Sequence, residues 1–290
     1  MTLIGSSGQI AMLNGVPIYF EVHGSGHPLL LLHGFSGCSQ DWSAFLEAET
    51  LATGEGYQQI IPDMRGHGRS FAPRKDGLAG TKIVPRVDVP PKFPAWRHDE
   101  SAEDMFALLD HLGIETFKGM GVSGGGNVLL HMATKHPHRV EAMVLVSATS
   151  YFPAQARPIM RQYPDNLPDA ERENLRRRHP GGDAQINALL ASTKAFADSY
   201  DDMNFTSPYL RRITARTLIV QGDRDPLYPL QISVDMASAI PRSSLWIIPN
   251  AGHGPVLGQR WPEFLKTAAA FLGGSSAGRP IDRQAAIELV

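Results

Sequence analysis

The 290-residue chain contains one cysteine, Cys38, and therefore no intramolecular disulfide. No apolar run approaches the roughly 18–20 residues that a membrane-spanning helix requires, and the first residues lack the basic and apolar stretches of a signal peptide. Charge of one sign is not in excess, since the formal net charge is −2. These absences argue against nucleic acid or a membrane as a partner, and we expect a cytoplasmic protein.

What the sequence does contain is an alternation of strand and helix patterns. The turn Asn14-Gly15 joins two short strands into a hairpin, and the uninterrupted apolar run at 28–33 is typical of a strand buried on both faces of a parallel sheet. Another buried strand is predicted at 57–62. Further strands are predicted at 117–122, 142–148, 217–220 and 244–248, and helices at 39–52, 101–112, 230–240 and 264–272. This order predicts an α/β fold with a mostly parallel sheet.

Residues 151–212 show no strand pattern. Apolar residues from Ile186 to Met203 recur at helical spacing, which predicts one amphipathic helix within a helical cap inserted between two strands. We therefore predict a core formed by residues 1–150 and 213–273, a cap at 151–212, and a C-terminal tail at 274–290. The GGSSAG run at 273–278 is predicted to be the linker to this tail.

One stretch, residues 117–131, combines a strand, a tight turn and a helix around Gly121-Val-Ser123-Gly-Gly125. A G-x-S-x-G string at a strand-to-helix turn presents the serine hydroxyl above a sheet, beside the N-terminus of a helix. The same residues also fit G-x-G-x-x-G, a dinucleotide-binding pattern. That alternative is disfavoured because the next strand ends in Ser147-Ala-Thr-Ser150, with no carboxylate for a ribose.

A base and an acid follow Ser123 in the chain. Asp225 lies just after one predicted strand, and His253, in a glycine-flanked loop, lies just after the next. Both positions are carboxyl ends of parallel strands, the edge at which open α/β sheets place their sites. Asp223 is the alternative acid, two residues earlier.

These motifs resemble those of the α/β-hydrolase superfamily. The resemblance covers about residues 9–150 and 213–272 and rests on HGF, DMRGHGRS, GVSGGG, GDRDPLYP and AGH. It implies an eight-stranded fold with a helical cap after the sixth strand, and no cofactor or metal. It also implies Ser123 as nucleophile, His253 as general base and Asp225 as the orienting acid, because the family pattern is G-x-x-D from Gly222. The backbone amides of Phe35 and Gly124 would form the oxyanion hole.

The resemblance implies a serine hydrolase that cleaves carboxylic esters of small to medium size through an acyl-enzyme. Hydrolysis of a carbon–carbon bond in a vinylogous diketone, or of a lactone, by the same triad is the alternative, and a ligand receptor that retains the pocket is an alternative of another class. Five residues are candidates for an apolar acyl pocket, unless the cap helix only packs on the core: Phe196, Tyr200, Met203, Tyr151 and Phe152.

Other residues are given structural roles. Asp63, Arg65 and His67 resemble the family's hydrogen-bonded loop, and Cys38 is predicted to be an unreactive thiol. His131, His136 and His138 are predicted to be solvated surface residues rather than metal ligands. The proline-rich loop 71–98, with six basic and two acidic residues, is predicted to border the site.

Overall fold

The computed structural model describes residues 8–43, 45–46, 56–71 and 96–274, and an eight-stranded sheet lies at its centre. In chain order the strands are β1 (Gln9–Leu13), β2 (Val16–His23), β3 (His27–Leu32), β4 (Tyr57–Pro62), β5 (Phe117–Val122), β6 (Val140–Val146), β7 (Arg216–Gly222) and β8 (Ser243–Ile248). Their spatial order is β1-β2-β4-β3-β5-β6-β7-β8. Strands β1 and β2 are antiparallel to their neighbours and all other pairs are parallel.

The α-helices described in full are α1 (His98–His111), α2 (Gly124–Lys135), α3 (Ala156–Gln162), α4 (Asp169–Arg178), α5 (Asp183–Asp198), α6 (Ser207–Leu210), α7 (Leu230–Ala239) and α8 (Trp261–Leu272). Apolar clusters lie on both faces of the sheet. Leu30 and Leu32 of β3 pack into one cluster with α1, α2 and α7, whereas Leu29 and Leu31 pack into the other with α8. Burial on both faces explains why β3 is apolar without alternation.

Most predicted elements are confirmed. The hairpin turn has Asn14 and Gly15 at φ 48° and 79°, as a two-residue turn between twisted strands requires. The predicted helix at 39–52 begins as a 3₁₀ turn over Ser39–Trp42, and residues 44 and 47–55 lie outside the described residues. Within the part of the chain that the structure describes, no helix is long and apolar enough to cross a bilayer.

Helices α3 to α6 lie between β6 and β7, where the sequence predicted a cap, and they are called the cap below. The predicted helix from Ile186 to Met203 is too long: α5 ends at Asp198, where Ser199 adopts an extended conformation with ψ 137°. The exact boundaries of core, cap and tail stay a prediction. The tail at 275–290 and loop residues 72–95 lie outside the described residues.

Candidate active site

The turn between β5 and α2 holds Ser123 in an unusual backbone conformation, with φ 50° and ψ −115°. A side chain at positive φ costs on the order of 1–3 kcal/mol, so the surroundings must enforce it. The amide of Ser123 donates to the Val146 carbonyl at 2.7 Å. The backbone of this turn also leaves no room for a side chain at position 121, because a Cβ on Gly121 would lie 2.5 Å from the Gly125 carbonyl carbon. The turn therefore requires the glycines of the G-x-S-x-G string.

The structure brings Ser123, His253 and Asp225 together from three separate loops. Nε2 of His253 lies 2.9 Å from Oγ of Ser123, and its Nδ1 lies 2.8 Å from Oδ2 of Asp225. An ionised carboxylate only accepts, so Nδ1 carries the proton and Nε2 is free to accept from the serine hydroxyl. The chain of contacts has the geometry of a nucleophile, a base and an orienting acid.

Buried hydrogen bonds surround the carboxylate of Asp225. Its Oδ1 accepts from the amides of Leu227 at 2.8 Å and Tyr228 at 3.1 Å, and its Oδ2 accepts from Nε2 of Gln221 at 2.9 Å. Burial alone would raise the pKa of Asp225, but His253 and the two amides together hold that pKa below its usual value. Asp223 is exposed and accepts instead from the amide of Ala251. The acid facing His253 is thus Asp225.

The two predicted oxyanion donors are neighbours. A Cβ on Gly124 would lie 3.3 Å from the amide nitrogen of Phe35, so the amide-bearing loop passes directly over the start of α2. His33 holds this loop, because its Nδ1 donates to the Gly34 carbonyl at 2.7 Å and its Nε2 accepts from the Met64 amide at 3.0 Å. Burial lowers the pKa of His33, which keeps the ring neutral and able to make both bonds.

Four aromatic rings, called the aromatic cluster below, begin beside Gly124 and extend to the cap. The ring of Trp96 would lie 2.9 Å from a Cβ on Gly124, and centroid distances of 5.5–6.1 Å join Phe35, Trp96, Phe196 and Phe152. No cation–ring contact in the described ranges involves these four rings. Among the described residues, the rings nearest the nucleophile on this side are apolar, and their polar ring neighbours are His67 and His98.

The five predicted pocket residues separate into two groups. Phe152 and Phe196 belong to the aromatic cluster, and Met203 is buried in the core. Tyr200 is 71% exposed with Arg157 over its ring, and Tyr151 is 46% exposed. The structure does not bring these two tyrosines to the cluster, because Tyr200 follows the end of α5 instead of continuing its buried face.

The predicted structural loop after β4 is confirmed as a hydrogen-bonded unit. Oδ1 of Asp63 accepts from the Ser39 amide and its Oδ2 from the Arg69 amide, at 2.6 and 2.7 Å. Arg65 pairs with the buried carboxylate of Asp104 at 2.6 Å. Burial raises the pKa of Cys38 to about 11, in keeping with an unreactive thiol.

The surface assignment of His131 is wrong. The side chain is buried against Phe205, and its Nε2 donates to the carbonyl of Asp202 at 2.7 Å. A polar residue on the buried side of a helix needs such a partner. Here the partner comes from residues 199–206, the segment between α5 and α6, which is called the cap exit below. His136 and His138 are exposed as predicted, and no group of three metal-ligating side chains exists among the described residues.

Sequence reasoning missed three residues near the nucleophile: Trp96, His98 and Asn127. Asn127 lies one helical turn after Ser123, and its backbone N–H donates to the Ser123 carbonyl at 3.0 Å. Its buried side chain accepts from the backbone amide of Thr149. A polar side chain inside an apolar helix was a visible indication of a buried partner. Trp96 and His98 end a loop without periodicity, where the sequence offers no such indication.

The mostly parallel sheet, the strained serine turn and the three-residue contact chain together have the architecture of an α/β hydrolase. A family model for the alpha/beta hydrolase fold matches residues 27–180, more than half of the chain. The chain belongs to the α/β-hydrolase family, and it is a hydrolase.

Individual relatives differ in their named activities. A 2-hydroxymuconate semialdehyde hydrolase of Pseudomonas putida is 28% identical over 269 residues, which cover 85% of this chain and 87% of that protein. A non-heme haloperoxidase of Rhodococcus erythropolis is 26% identical over 271 residues, covering 83% and 90%. The solved structure of MGS-M2, an alpha/beta hydrolase enzyme from a deep-sea metagenome library of the Medee basin, has a TM-score of 0.71 at 19% identity and covers 94% and 100%. Family membership therefore leaves the substrate open.

Proposed function

We propose that this protein is a cofactor-independent serine hydrolase of carboxylic esters with uncharged acyl groups. The observation that carries the proposal is the contact chain from Ser123 through His253 to Asp225, at 2.9 and 2.8 Å. The small-molecule ester substrate is the only binding partner that this mechanism needs, apart from water.

The contacts support a two-step acyl transfer. As Oγ of Ser123 attacks the acyl carbon, Nε2 of His253 takes its proton, and the ionised Asp225 stabilises the imidazolium. The imidazolium then gives the proton to the departing alcohol, which leaves an acyl-enzyme. Water attacks that ester with His253 again as the base, and the acid is released as Ser123 regains its proton.

The amides of Phe35 and Gly124 would bind the oxyanion of both tetrahedral intermediates. Gly124 is the first residue of α2, so the partial positive charge of the helix N-terminus adds to its hydrogen bond. Losing one such donor typically costs ~10²–10³ in kcat. Donors on rigid backbone need no reorganisation during the reaction.

The aromatic cluster supports an uncharged acyl group. Phe35 and Trp96 lie next to Gly124, and Phe196 and Phe152 extend the apolar surface toward the cap. No described cation contacts these four rings, so a carboxylate placed against them would lose hydration without a compensating partner from the described residues, at a cost of several kcal/mol. We therefore expect neutral esters to react faster than esters with a distal carboxylate.

Hydrolysis of a carbon–carbon bond is the second candidate. The similarity to a 2-hydroxymuconate semialdehyde hydrolase favours it, because that name describes a carbonyl compound rather than an ester. The same serine, base and oxyanion donors suffice for attack on the ketone carbonyl of a vinylogous diketone. Lactones need no different machinery either.

The test compares p-nitrophenyl acetate, butyrate and octanoate, a lactone and a vinylogous diketone as substrates of the parent and of Ser123→Ala. We expect the esters to give the highest kcat/KM, with a loss on the order of a thousandfold or more in the variant. Faster turnover of the diketone would move the assignment to carbon–carbon cleavage. Tight binding of these compounds without any serine-dependent turnover would instead indicate a receptor and contradict the proposal.

A further inference from the structure

A buried hydrogen-bonded pair, His98 and Asp202, joins the exit of the cap to the core. His98 begins α1, and Asp202 follows the end of α5 by four residues. Nδ1 of His98 lies 2.7 Å from Oδ2 of Asp202, and the two side chains are only 2% and 1% exposed. The second carboxylate oxygen accepts from the backbone amide of His98 at 3.1 Å. Leaving a buried carboxylate without its hydrogen-bond donors is costly, so the geometry of the pair is strongly enforced.

The imidazole of His98 lies in contact with three aromatic rings, two of which come from the cap side of the cluster. Its centroid is 4.4 Å from that of Trp96, 5.0 Å from that of Phe196 and 5.8 Å from that of Phe152. Because Asp202 fixes the orientation of this ring, it also limits the positions that the three neighbouring rings can take.

A hydrogen-bond chain continues from His98 toward the triad. Because Nδ1–H donates to Asp202, Nε2 is the acceptor and receives the amide N–H of Asn127 at 3.4 Å. Oδ1 of Asn127 also accepts from the backbone amide of Thr149 at 2.9 Å. Both the amide group and the carbonyl oxygen of the asparagine side chain are thereby used.

These contacts reach the helix that carries the nucleophile. Asn127 belongs to α2, and its backbone N–H donates to the Ser123 carbonyl at 3.0 Å. Thr149, whose amide donates to Asn127, lies three residues before Phe152 of the aromatic cluster. One connected network thus spans the cap exit, the aromatic cluster and the start of α2.

We propose that His98 and Asp202 form a positioning pair that sets acyl-chain selectivity by fixing the aromatic cluster through His98 and Asn127. The inference rests on the proposed hydrolase function. Neither residue contacts the reacting atoms, so their loss acts through the rings of the aromatic cluster.

The test measures kcat and KM for p-nitrophenyl acetate and octanoate in Asp202→Ala, with Asp202→Asn as the conservative variant. We expect Asp202→Ala to change the octanoate-to-acetate ratio of kcat/KM by ~10-fold, mainly through the KM of octanoate. Asp202→Asn should restore much of the ratio, because an amide oxygen still accepts from Nδ1 of His98.

The matched control is Asp104→Ala. Asp104 is also a fully buried carboxylate; it lies on α1 itself and pairs with Arg65 of the loop after β4. Neither Asp104 nor Arg65 contacts a ring of the aromatic cluster through any described ring or cation–ring contact. We expect Asp104→Ala to lower the melting temperature comparably and to leave the selectivity ratio unchanged. Equal selectivity in both alanine variants and the parent would overturn the proposal. If Asp202→Ala does not fold, Asn127→Leu must show the same change in ratio, and an unchanged ratio there would equally overturn it.

A substrate-independent measurement separates this proposal from the hydrolase assignment. The emission of Trp96 is obtained by subtracting the spectrum of Trp96→Phe in each background. We expect Asp202→Ala, and not Asp104→Ala, to shift that emission. A shift in a protein without esterase activity would support the positioning role while contradicting the proposed function, and no shift would contradict the positioning role.

Discussion

Two acidic residues, Asp225 and Asp223, lie in one turn but have opposite environments. Asp225 is buried against His253, whereas Asp223 is exposed. We expect Asp225→Asn to reduce kcat by ~10⁴, because the amide stabilises the wrong imidazole tautomer. Asp223→Asn, the matched control in the same loop, should lower kcat less than about threefold. A larger loss at position 223 would contradict the assignment of the acid.

The single thiol gives a prediction that is independent of catalysis. Cys38 is 2% exposed, and burial raises its pKa to about 11, so almost no thiolate exists at pH 8. We expect its reaction with DTNB to be at least ~100-fold slower in the native protein than in urea. Rapid stoichiometric labelling of the native protein would contradict this burial.

At the residue scale, the sequence predicted the positions that carry recognisable motifs. Ser123, His253 and Asp225 each follow a strand pattern, and the resemblance to a family ordered them. The role of His98 was not predictable, because its hydrogen-bond partner Asp202 lies 104 residues away, at a position where the sequence predicted that the cap helix continues. His131 was misassigned for the same reason, since its acceptor belongs to the cap exit.

The helix α5 contains the residue that most directly tests the aromatic cluster. Phe196 is buried there, whereas Tyr200 lies beyond the end of the helix and is 71% exposed. We expect Phe196→Ala to lower kcat/KM for octanoate relative to acetate by ~10-fold, since an apolar contact is lost. Tyr200→Ala serves as the control and should leave the ratio unchanged. An unchanged ratio in Phe196→Ala with a large drop in melting temperature would mean that the helix only packs on the core.

The cap exit also predicts a pH dependence of stability. Burial alone would raise the pKa of Asp202, but His98, His131 and Arg97 lower it to about 2. With an unfolded pKa of ~3.9, the carboxylate stabilises the fold on the order of 2 kcal/mol above pH 5, and this contribution is lost as the pH falls from ~4 to ~2. The expected sign is thus a loss of stability on acidification.

Urea unfolding of the parent and Asp202→Asn at pH 7 and pH 3 measures this contribution. The difference in unfolding free energy between the two proteins should narrow by about 1 kcal/mol at the lower pH. Asp198→Asn, at an exposed position on the same cap, should show no such narrowing. If the difference in unfolding free energy between the two proteins is the same at pH 7 and pH 3, the pKa of Asp202 is not lowered.

At the element scale, apolar continuity predicted the buried strands within one or two residues. The C-terminus of α5 was misplaced because Tyr200 and Met203 happen to fit the helical period. The side chain of Asp202 instead binds α1, so tertiary hydrogen bonds decide where the helix ends. The helical period of a sequence carries no information about such hydrogen bonds to a distant helix.

For the whole molecule, the alternation of strand and helix patterns predicted a mostly parallel sheet, and the resemblance to a family supplied the eight strands. The sheet brings the loops of Ser123, Asp225 and His253 to one edge, as expected from their positions after parallel strands. The aromatic cluster was not predictable as a unit, because it combines residues from the loop after β3, the residues before α1, the segment after β6, and α5. Selectivity in such enzymes depends on segments inserted into the sheet rather than on the sheet itself.

The most direct measurement of the central claim is the site of acylation. The protein is mixed with p-nitrophenyl butyrate, quenched in acid within milliseconds, and digested for peptide mass spectrometry. We predict one butyryl group per chain, on the peptide that contains Ser123, and none in Ser123→Ala. Full turnover with no acyl group on Ser123, or with the group on another residue, would contradict the account.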